Sequence, residues 1–224
     1  MNNLNHIAFI MDGNGRWGLR KKKSRNYGHL EGVKTVQRIV EASISFNVPI
    51  VSFYVFSSEN WKRPKSEINY LFNLIKIYFK KDINNIIKNN IRINILGRTK
   101  SLPKEIKDTL RSTVLKTKKN KKLIVNLAIN YGSKNEIIDS VKKINSSSQK
   151  INEININRNL YLKLPHPDIL IRTGGQKRLS NFMLWQLAYT EIFFLDKLWP
   201  DFLQNDLKNI IKKYQKIKRN FGGV

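Results

Sequence analysis

The segment IAFIMDGNGRW at residues 7–17 combines groups that can bind a phosphate and a metal ion. Asp12 ends an apolar run, and Gly13, Gly15 and Arg16 follow it. Glycines let backbone N–H groups approach a phosphate, an arginine holds phosphate oxygens in a fork, and a carboxylate is a hard ligand for Mg²⁺. The segment therefore predicts an anion site in which Asp12 holds Mg²⁺ against the bound phosphate.

The same glycines also fit other patterns. Residues 13–18 match the dinucleotide-binding pattern G-x-G-x-x-G, but bulky Arg16 and Trp17 fill its variable positions. The polar segment LRKKKSRN follows where that motif needs an amphipathic helix. Asp-Gly and Asn-Gly favour a hairpin turn, although no alternating second strand follows. Because the Walker pattern G-x-x-x-x-G-K-[ST] is absent, an anion site of another kind is favoured.

A second glycine cluster, IRTGGQKRLSN at residues 171–181, has the same character. Arg172 ends an apolar run, and Gly174 belongs to a Gly-Gly turn. Arg178 and Ser180 are spaced to converge on one anion. A basic surface loop is the plainer alternative, but the Gly-Gly turn at a strand end favours a second anion site.

Three further residues need partners that the local sequence does not supply. Glu191 lies in the apolar segment LAYTEIFF, where burying a lone carboxylate is costly. Arg25 and His29 are four residues apart and share one helix face if their helix begins early, where they would add positive charge. By itself, such a histidine is more often a helix cap. Two basic glycine sites and two isolated carboxylates indicate two phosphorylated substrates joined around a metal ion.

Short apolar runs alternate with segments of helical period. The predicted strands, continuous in Ile, Val and Phe as in a sheet buried on both faces, are 7–11, 50–56, 91–96, 123–129, 169–172 and 192–195. The predicted helices are 29–46, one capped by Ser66 with an apolar stripe over 70–79, 103–115, 134–144 and 202–218. This order predicts one α/β domain over residues 1–224, with a mostly parallel, helix-covered sheet and a surface loop at 145–159.

Ligands bind at the carboxyl ends of the strands in such sheets. Asp12, the block SSENW that begins at Ser57, and Arg172 each follow or end a predicted strand. This clustering predicts an enzyme.

The 224-residue chain has no cysteine and a formal net charge of +26. No apolar stretch approaches the roughly 18 residues that span a bilayer, and no signal peptide is evident, so a soluble, cytoplasmic protein is expected. Such a charge attracts polyanions. The arginines are concentrated at glycine turns beside carboxylates, which would repel a phosphodiester without a metal ion. Phosphorylated metabolites are therefore expected as ligands, and nucleic acid is not.

Four blocks, HIAFIMDGNGRW, FSSENWKRPKSE, DILIRTGGQKRLSNFMLWQLAYTEIFF and LWPDF, resemble the undecaprenyl diphosphate synthases, the cis-prenyltransferases. The resemblance implies successive condensation of isopentenyl diphosphate onto an allylic diphosphate, usually farnesyl diphosphate, with Mg²⁺ as cofactor. The product would be a long cis-polyprenyl diphosphate such as undecaprenyl diphosphate, the carrier precursor for cell-wall glycan synthesis. A homodimer with a central parallel sheet and an apolar product tunnel is also implied. Transient contact with anionic lipid at the inner membrane surface fits the surface charge and the apolar product.

The resemblance also assigns roles to matching positions. It gives Asp12 and Glu191 to Mg²⁺, and Asp12 to departure of the allylic diphosphate. That diphosphate would be held by Gly13, Asn14, Gly15, Arg16, Arg25 and His29, with Trp17 beside it. Isopentenyl diphosphate would be held by Arg172, Arg178, Leu179 and Ser180. Between the substrates would lie Ser57, Ser58, Glu59, Asn60, Trp61 and Arg63. The family credits Asn60 with proton removal, although an amide is a weak base. Leu71, Leu74 and Tyr78 are candidate tunnel walls.

Three positions depart from the family pattern. Gln176-Lys177 stands where Glu followed by His or Gln is common, which questions that loop's contribution to the second substrate. Val55 replaces a frequent alanine and is expected to narrow the tunnel. Asn220 stands where an arginine is usual, which questions a contribution of the C-terminus across the dimer.

Overall fold

A computed structural model describes residues 2–219. Six strands form one sheet in the order β3-β4-β2-β1-β5-β6, and every neighbouring pair is parallel. The strands are β1 (His6–Ile10), β2 (Ile50–Ser57), β3 (Ile91–Leu96), β4 (Leu123–Tyr131), β5 (Ile169–Arg172) and β6 (Glu191–Phe194). The α-helices are α1 (Asn14–Arg20), α2 (Arg25–Ser45), α3 (Lys65–Lys88), α4 (Lys104–Thr117), α5 (Ser133–Ser146), α6 (Glu153–Asn159) and α7 (Gln204–Lys216). The predicted parallel α/β fold is confirmed.

The six predicted strands and five predicted helices are all present, with ends shifted by a few residues. Two short helices were not predicted. Helix α1 starts directly after Gly13, so the prediction that no helix follows these glycines is wrong. Helix α6 lies within the predicted loop 145–159, because Asn152 accepts a hydrogen bond from the amide of Asn155 and starts a helix there. Ser66 is not the cap of α3, which begins one residue earlier behind Pro64.

The sheet has a buried core on each face. On the first face, Phe9 and Phe53 stack at 5.0 Å, and Trp199 packs edge-on against both. Residues from α2, α3, α4 and α7 join this larger core. On the second face, Ala8 and Leu170 pack with residues of the segment 179–187. With both faces covered, the strands read as continuous apolar runs rather than as alternating ones.

A line of hydrogen-bonded polar side chains crosses four strands on the second face. The ring Nδ1–H of His6 donates to the carbonyl of Pro165 at 2.7 Å, because a carbonyl can only accept. Its Nε2 therefore accepts from the Ser52 hydroxyl, also at 2.7 Å. Asn126 donates to Ser52 at 2.9 Å, and Asn94 donates to Asn126 at 3.0 Å. We call this set the polar ladder.

We expect His6 to make the stability of the fold depend on pH. Burial lowers the pKa of His6 to about 4, against 6.5 for a free histidine. The unfolded chain therefore binds this proton first, so the stabilisation is complete above pH 6.5 and is lost as the pH falls towards 4. At pH 5 the loss from His6 is about 2 kcal/mol.

Urea unfolding at pH 7.5 and pH 5 measures this loss. His6→Gln keeps one donor and one acceptor but cannot be protonated, so its stability should fall less than that of the parent between these pH values. Equal pH dependence of variant and parent would show that His6 does not cause it.

Candidate active site

A cavity of about 680 Å³ opens at the carboxyl ends of β1, β2 and β5. The polar side chains around its mouth come from the three segments that the sequence analysis selected. They are Asp12, Asn14, Ser57, Glu59, Asn60, Arg63, Arg172, Arg178 and Ser180, together with His29 from α2. The topology brings these segments together because β1 lies between β2 and β5.

Two arginines hold the Asp12 carboxylate. Arg16 donates to its Oδ1 at 3.1 Å and to the carbonyl of Gly174 at 2.8 Å. Arg172, whose side chain is 3% exposed, donates to Oδ2 at 3.0 Å. The Thr173 hydroxyl bonds to the backbone of Asp12 and fixes the end of β1 beside the end of β5. The two glycine clusters of the sequence therefore form one site, with Asp12 at its centre.

Arg172 also organises the loop that follows β5. Its guanidinium donates to the Ser180 hydroxyl at 2.7 Å and to the carbonyl of Arg178. Arg178 in turn donates to the side chain of Gln176 at 2.7 Å. Gln176, which differs from the residue usual in the family, thus supplies a hydrogen-bond acceptor that orients the Arg178 side chain.

Asn181, which the sequence analysis missed, ties this loop to the end of β2. Its side chain donates to Glu59 at 2.9 Å and accepts from the amide of Lys134 at 2.9 Å. Asn181 has a φ of 63°, in the left-handed region that asparagine tolerates better than most residues. Burial pushes the pKa of Glu59 upward, but hydrogen bonds from Asn181 and nearby groups outweigh it and leave the pKa below its usual value. Glu59 is therefore a carboxylate at neutral pH.

Glu67 is a second residue that the sequence analysis missed. Its carboxylate binds Arg63 at 3.1 Å, Arg25 at 3.2 Å and His29 at 3.2 Å. Burial raises the pKa of Glu67, but these three neighbours outweigh burial and keep the pKa below its usual value. The four-residue spacing between Arg63 and Glu67 at the start of α3 was the signal in the sequence.

Helix α2 begins at Arg25, so Arg25 and His29 share one face as predicted. The surroundings of His29 disfavour the positive charge that was expected on it. Burial lowers the pKa of His29, more strongly than its hydrogen bond to Glu67 raises it. At neutral pH the imidazole is therefore uncharged and donates its Nε2–H to the carboxylate.

Two polar atoms of cavity-lining residues are buried without a hydrogen-bond partner within residues 2–219. They are Nε of Arg172 and Oδ1 of Asn14. Such atoms are costly to bury unpaired. A methyl group on Gly32 would lie 2.4 Å from this Asn14 oxygen, so glycine leaves room for the Asn14 side chain against α2.

Several predicted residues lie outside the cavity lining. Trp17 donates to Asp201 at 2.6 Å and stacks on Tyr27. Trp61 donates to Asn130 at 2.8 Å and packs edge-on against Phe56. These contacts stabilise the segments that carry the site.

The other predicted residues outside the cavity lining also pack closely against neighbouring segments. Gly13, with a φ of 108°, starts α1, and a Cβ there would lie 2.7 Å from the Leu198 side chain. A Cβ on Gly15 would lie 2.8 Å from the Arg25 guanidinium, and one on Gly132 would lie 2.6 Å from the Ser58 hydroxyl. Leu179 packs against the second core.

Within one chain, the structure does not bring Asp12 and Glu191 together, so their shared metal site stays a prediction. Glu191 is the first residue of β6 and pairs with Ile169, whereas Asp12 lies beyond the last residue of β1. Their levels along the parallel strands differ by about five residues, or roughly 16 Å. Glu191 instead lies 3.7 Å from Arg219. Among residues 2–219, no three His, Cys, Asp or Glu side chains cluster as a metal site. Asn220 lies outside the described residues.

The interior of the cavity is apolar. Its lining includes Val33 and Val36 of α2, Phe56 and Leu127 of the sheet, and Met11, which follows β1. Helix α3 contributes the lining residues Leu71, Leu74, Ile75, Tyr78 and Phe79. The predicted wall residues therefore line the cavity, and so does Val55. A polar mouth with an apolar interior suits a ligand with an anionic head and a hydrocarbon tail.

Known proteins match this chain over almost its whole length. A family model described as "Putative undecaprenyl diphosphate synthase" matches residues 10–222. An isoprenyl transferase of Oceanobacillus iheyensis is 44% identical over 227 residues, covering 98% of this chain and 90% of that protein. An isoprenyl transferase of Treponema denticola is also 44% identical, covering 99% of this chain and 98% of that protein.

Two solved structures share the fold. A probable undecaprenyl diphosphate synthase from Campylobacter jejuni superposes with a TM-score of 0.87 at 37% identity and covers 100% of both chains. Lavandulyl diphosphate synthase from Lavandula x intermedia, in complex with dimethylallyl diphosphate, gives a TM-score of 0.93 at 28% identity, covering 98% of each chain. The chain therefore belongs to the undecaprenyl diphosphate synthase family of prenyltransferases.

Proposed function

We propose that the protein condenses isopentenyl diphosphate onto an allylic diphosphate, with farnesyl diphosphate as the starter, and repeats the reaction to form a long cis-polyprenyl diphosphate. One observation carries the proposal: a cavity whose mouth is lined by arginines leads into an interior lined by aliphatic and aromatic side chains. Family membership supports the reaction class. Undecaprenyl diphosphate as product, and its use as a carrier for cell-wall glycans, are part of the proposal.

The arginines at the mouth receive the two diphosphate heads. Arg172, Arg178 and Ser180 line the opening together, and the Ser180 hydroxyl accepts a hydrogen bond from Arg172. Arg16 belongs to α1, Arg25 is the first residue of α2, and Arg63 shortly precedes α3. Arginine forks match phosphate oxygens geometrically, and their charge offsets the repulsion between two diphosphates.

Asp12 fits a role in holding Mg²⁺. Mg²⁺ commonly keeps several waters and binds one or two carboxylates together with substrate phosphates, so a cluster of protein ligands is not required. Asp12 provides the carboxylate at the cavity mouth, beside the unpaired nitrogen of Arg172. When bound, the ion would neutralise charge on the departing diphosphate.

In the reaction, the allylic C–O bond breaks and its electron pair leaves with the diphosphate. The double bond of isopentenyl diphosphate forms the new carbon–carbon bond, and a proton leaves the neighbouring carbon to restore a double bond. Positive charge develops on carbon, so the apolar walls that exclude water protect it from hydrolysis.

Asn60 is better suited to orientation than to proton removal. Its Oδ1 accepts a hydrogen bond from the amide of Ser57 at 3.1 Å, which closes a capping box at the end of β2. An amide is also a weak base. We propose that Asn60 fixes the loop between the substrates and that the released diphosphate accepts the proton.

The test is incubation of the purified protein with farnesyl diphosphate, labelled isopentenyl diphosphate and Mg²⁺, followed by sizing of the extracted product. We expect labelled polyprenyl diphosphates, and their loss when EDTA is added. Reactions without the allylic starter serve as the control. A folded sample that incorporates no label would overturn the proposal.

We also propose that two copies associate and that the enzyme works in the cytoplasm, touching the inner membrane surface transiently. Strand β6 is an edge strand with Ile192 partly exposed, and an open edge favours pairing or coverage. Within residues 2–219, no helix is both long enough and apolar enough to cross a membrane. The apolar product and a net charge of +26 support contact with anionic lipid.

A further inference from the structure

The apolar cavity is bounded by a polar contact at each end. At the mouth, Glu67 of α3 binds Arg25 and His29 of α2. At the other end, the side chain of Gln37 on α2 donates to the carboxylate of Asp82 on α3 at 2.6 Å. We call this second contact the Gln37–Asp82 latch.

The cavity-lining residues of the two helices extend from the first contact, which includes His29, towards the second. On α2 they run from His29 to Val36, the residue before Gln37. On α3 they end at Tyr78 and Phe79, one helical turn before Asp82. Both helices follow parallel neighbouring strands and run in the same direction, so the latch marks the end of the groove farthest from Asp12.

Tyr78 joins the latch to the cavity wall. Its hydroxyl lies near Gln37 and Asp82, and Tyr78 lines the cavity. Burial and the charge of Asp82 raise the pKa of Tyr78 to about 12, so the phenol remains protonated near neutral pH. Gln37, Tyr78 and Asp82 thus form one polar group at the end of the groove farthest from Asp12.

The length of this groove is short compared with a long polyprenyl chain. From Glu67 to Asp82, α3 rises by fifteen residues, or about 22 Å. An isoprene repeat spans four main-chain bonds of about 1.5 Å, which reach roughly 5 Å when extended. About four extended units therefore fill the groove, and farnesyl diphosphate already brings three.

We propose that the Gln37–Asp82 latch limits the length of the product, because a chain that outgrows the groove must part α2 and α3 at this pair. The inference rests on the function proposed above and names residues that would set its specificity. Each further helical turn of groove that opens, about 5.4 Å, provides room for about one more isoprene unit.

The experiment compares product lengths from variants that weaken or strengthen the latch, under the assay conditions given above. Asp82→Ala removes the acceptor, and we expect its products to be longer than those of the parent by at least one isoprene unit. Gln37→Arg replaces the neutral donor with a cation that pairs with Asp82, and we expect shorter products. Glu105→Ala is the matched control, since it removes the 2.9 Å contact of Lys76 on the side of α3 that meets α4.

Unchanged product lengths in Asp82→Ala, with the protein folded by circular dichroism, would overturn the latch. If Asp82→Ala does not fold, Gln37→Arg decides, and unchanged lengths in that variant would overturn it. A shift of equal size in Glu105→Ala would also count against it, because loosening α3 anywhere would then suffice. No product from the parent would refute the proposed function, and that result is distinct from an unchanged length.

Discussion

Replacing Asp12 with asparagine is expected to lower turnover by about a thousandfold, equivalent to about 4 kcal/mol of transition-state stabilisation. Asparagine keeps the shape of the side chain but loses the charge that would hold Mg²⁺. It also leaves Arg16 and the buried Arg172 without their shared counter-charge. The rate of label incorporation at saturating substrate and Mg²⁺ measures the loss.

The control is Asp108→Asn, the same substitution at an exposed position on α4. Both variants should remain folded by circular dichroism, with a lower thermal midpoint only for Asp12→Asn. Turnover of Asp12→Asn within tenfold of the parent would show that this carboxylate does not assist the departing diphosphate.

Replacing Arg172 with lysine is expected to lower kcat/KM by roughly a hundredfold, because lysine presents one compact charge where arginine presents a planar fork. Arg172 bonds to Asp12, to Ser180 and to the carbonyl of Arg178, and a single ammonium cannot reach all three in this geometry. Loss of the fork should raise the KM for isopentenyl diphosphate. It should also weaken binding of inorganic diphosphate, which calorimetry measures without turnover.

Arg92→Lys provides the matched control, since Arg92 is exposed on β3, away from the cavity. Its kinetics and diphosphate binding should equal those of the parent. If Arg172→Lys bound inorganic diphosphate as tightly as the parent, Arg172 would have only a structural role at the end of β5.

The sequence was most informative about the sheet. Strands buried on both faces appear as continuous apolar runs, and all six were found. The functional segments were found because the carboxyl ends of parallel strands meet at one edge, which placed Asp12, Ser57 and Arg172 together. Helix α1 was missed because its glycines suggest a turn. A Cβ on Gly18 would lie 2.2 Å from the carbonyl of Ser24, so glycine there permits close packing of α1 on α2.

Glu191 shows how position along a strand decides which residues can meet within one chain. It was expected at the metal site from its matching position, but it precedes the apolar run of β6. A residue that precedes a parallel strand lies at the opposite edge from one that follows a neighbouring strand, so strand direction separates Glu191 from Asp12 within one chain. Glu67 and Asn181 were missed for another reason. Glu67 has one partner at helical spacing, Arg63, but its other partners and those of Asn181 are distant in sequence, and composition and spacing do not reveal them.

The polar ladder stabilises one pairing register of the parallel strands over the others. Strands made of nearly uniform aliphatic residues can slide past one another by two positions while keeping the same face buried. Such a slip of β4 would remove Asn126 from Ser52 and Asn94 and leave buried amides unpaired, at a cost of about 1–3 kcal/mol for each group. The correct pairing thus acquires an energy gap over its misaligned competitors, which the aliphatic contacts alone would not provide.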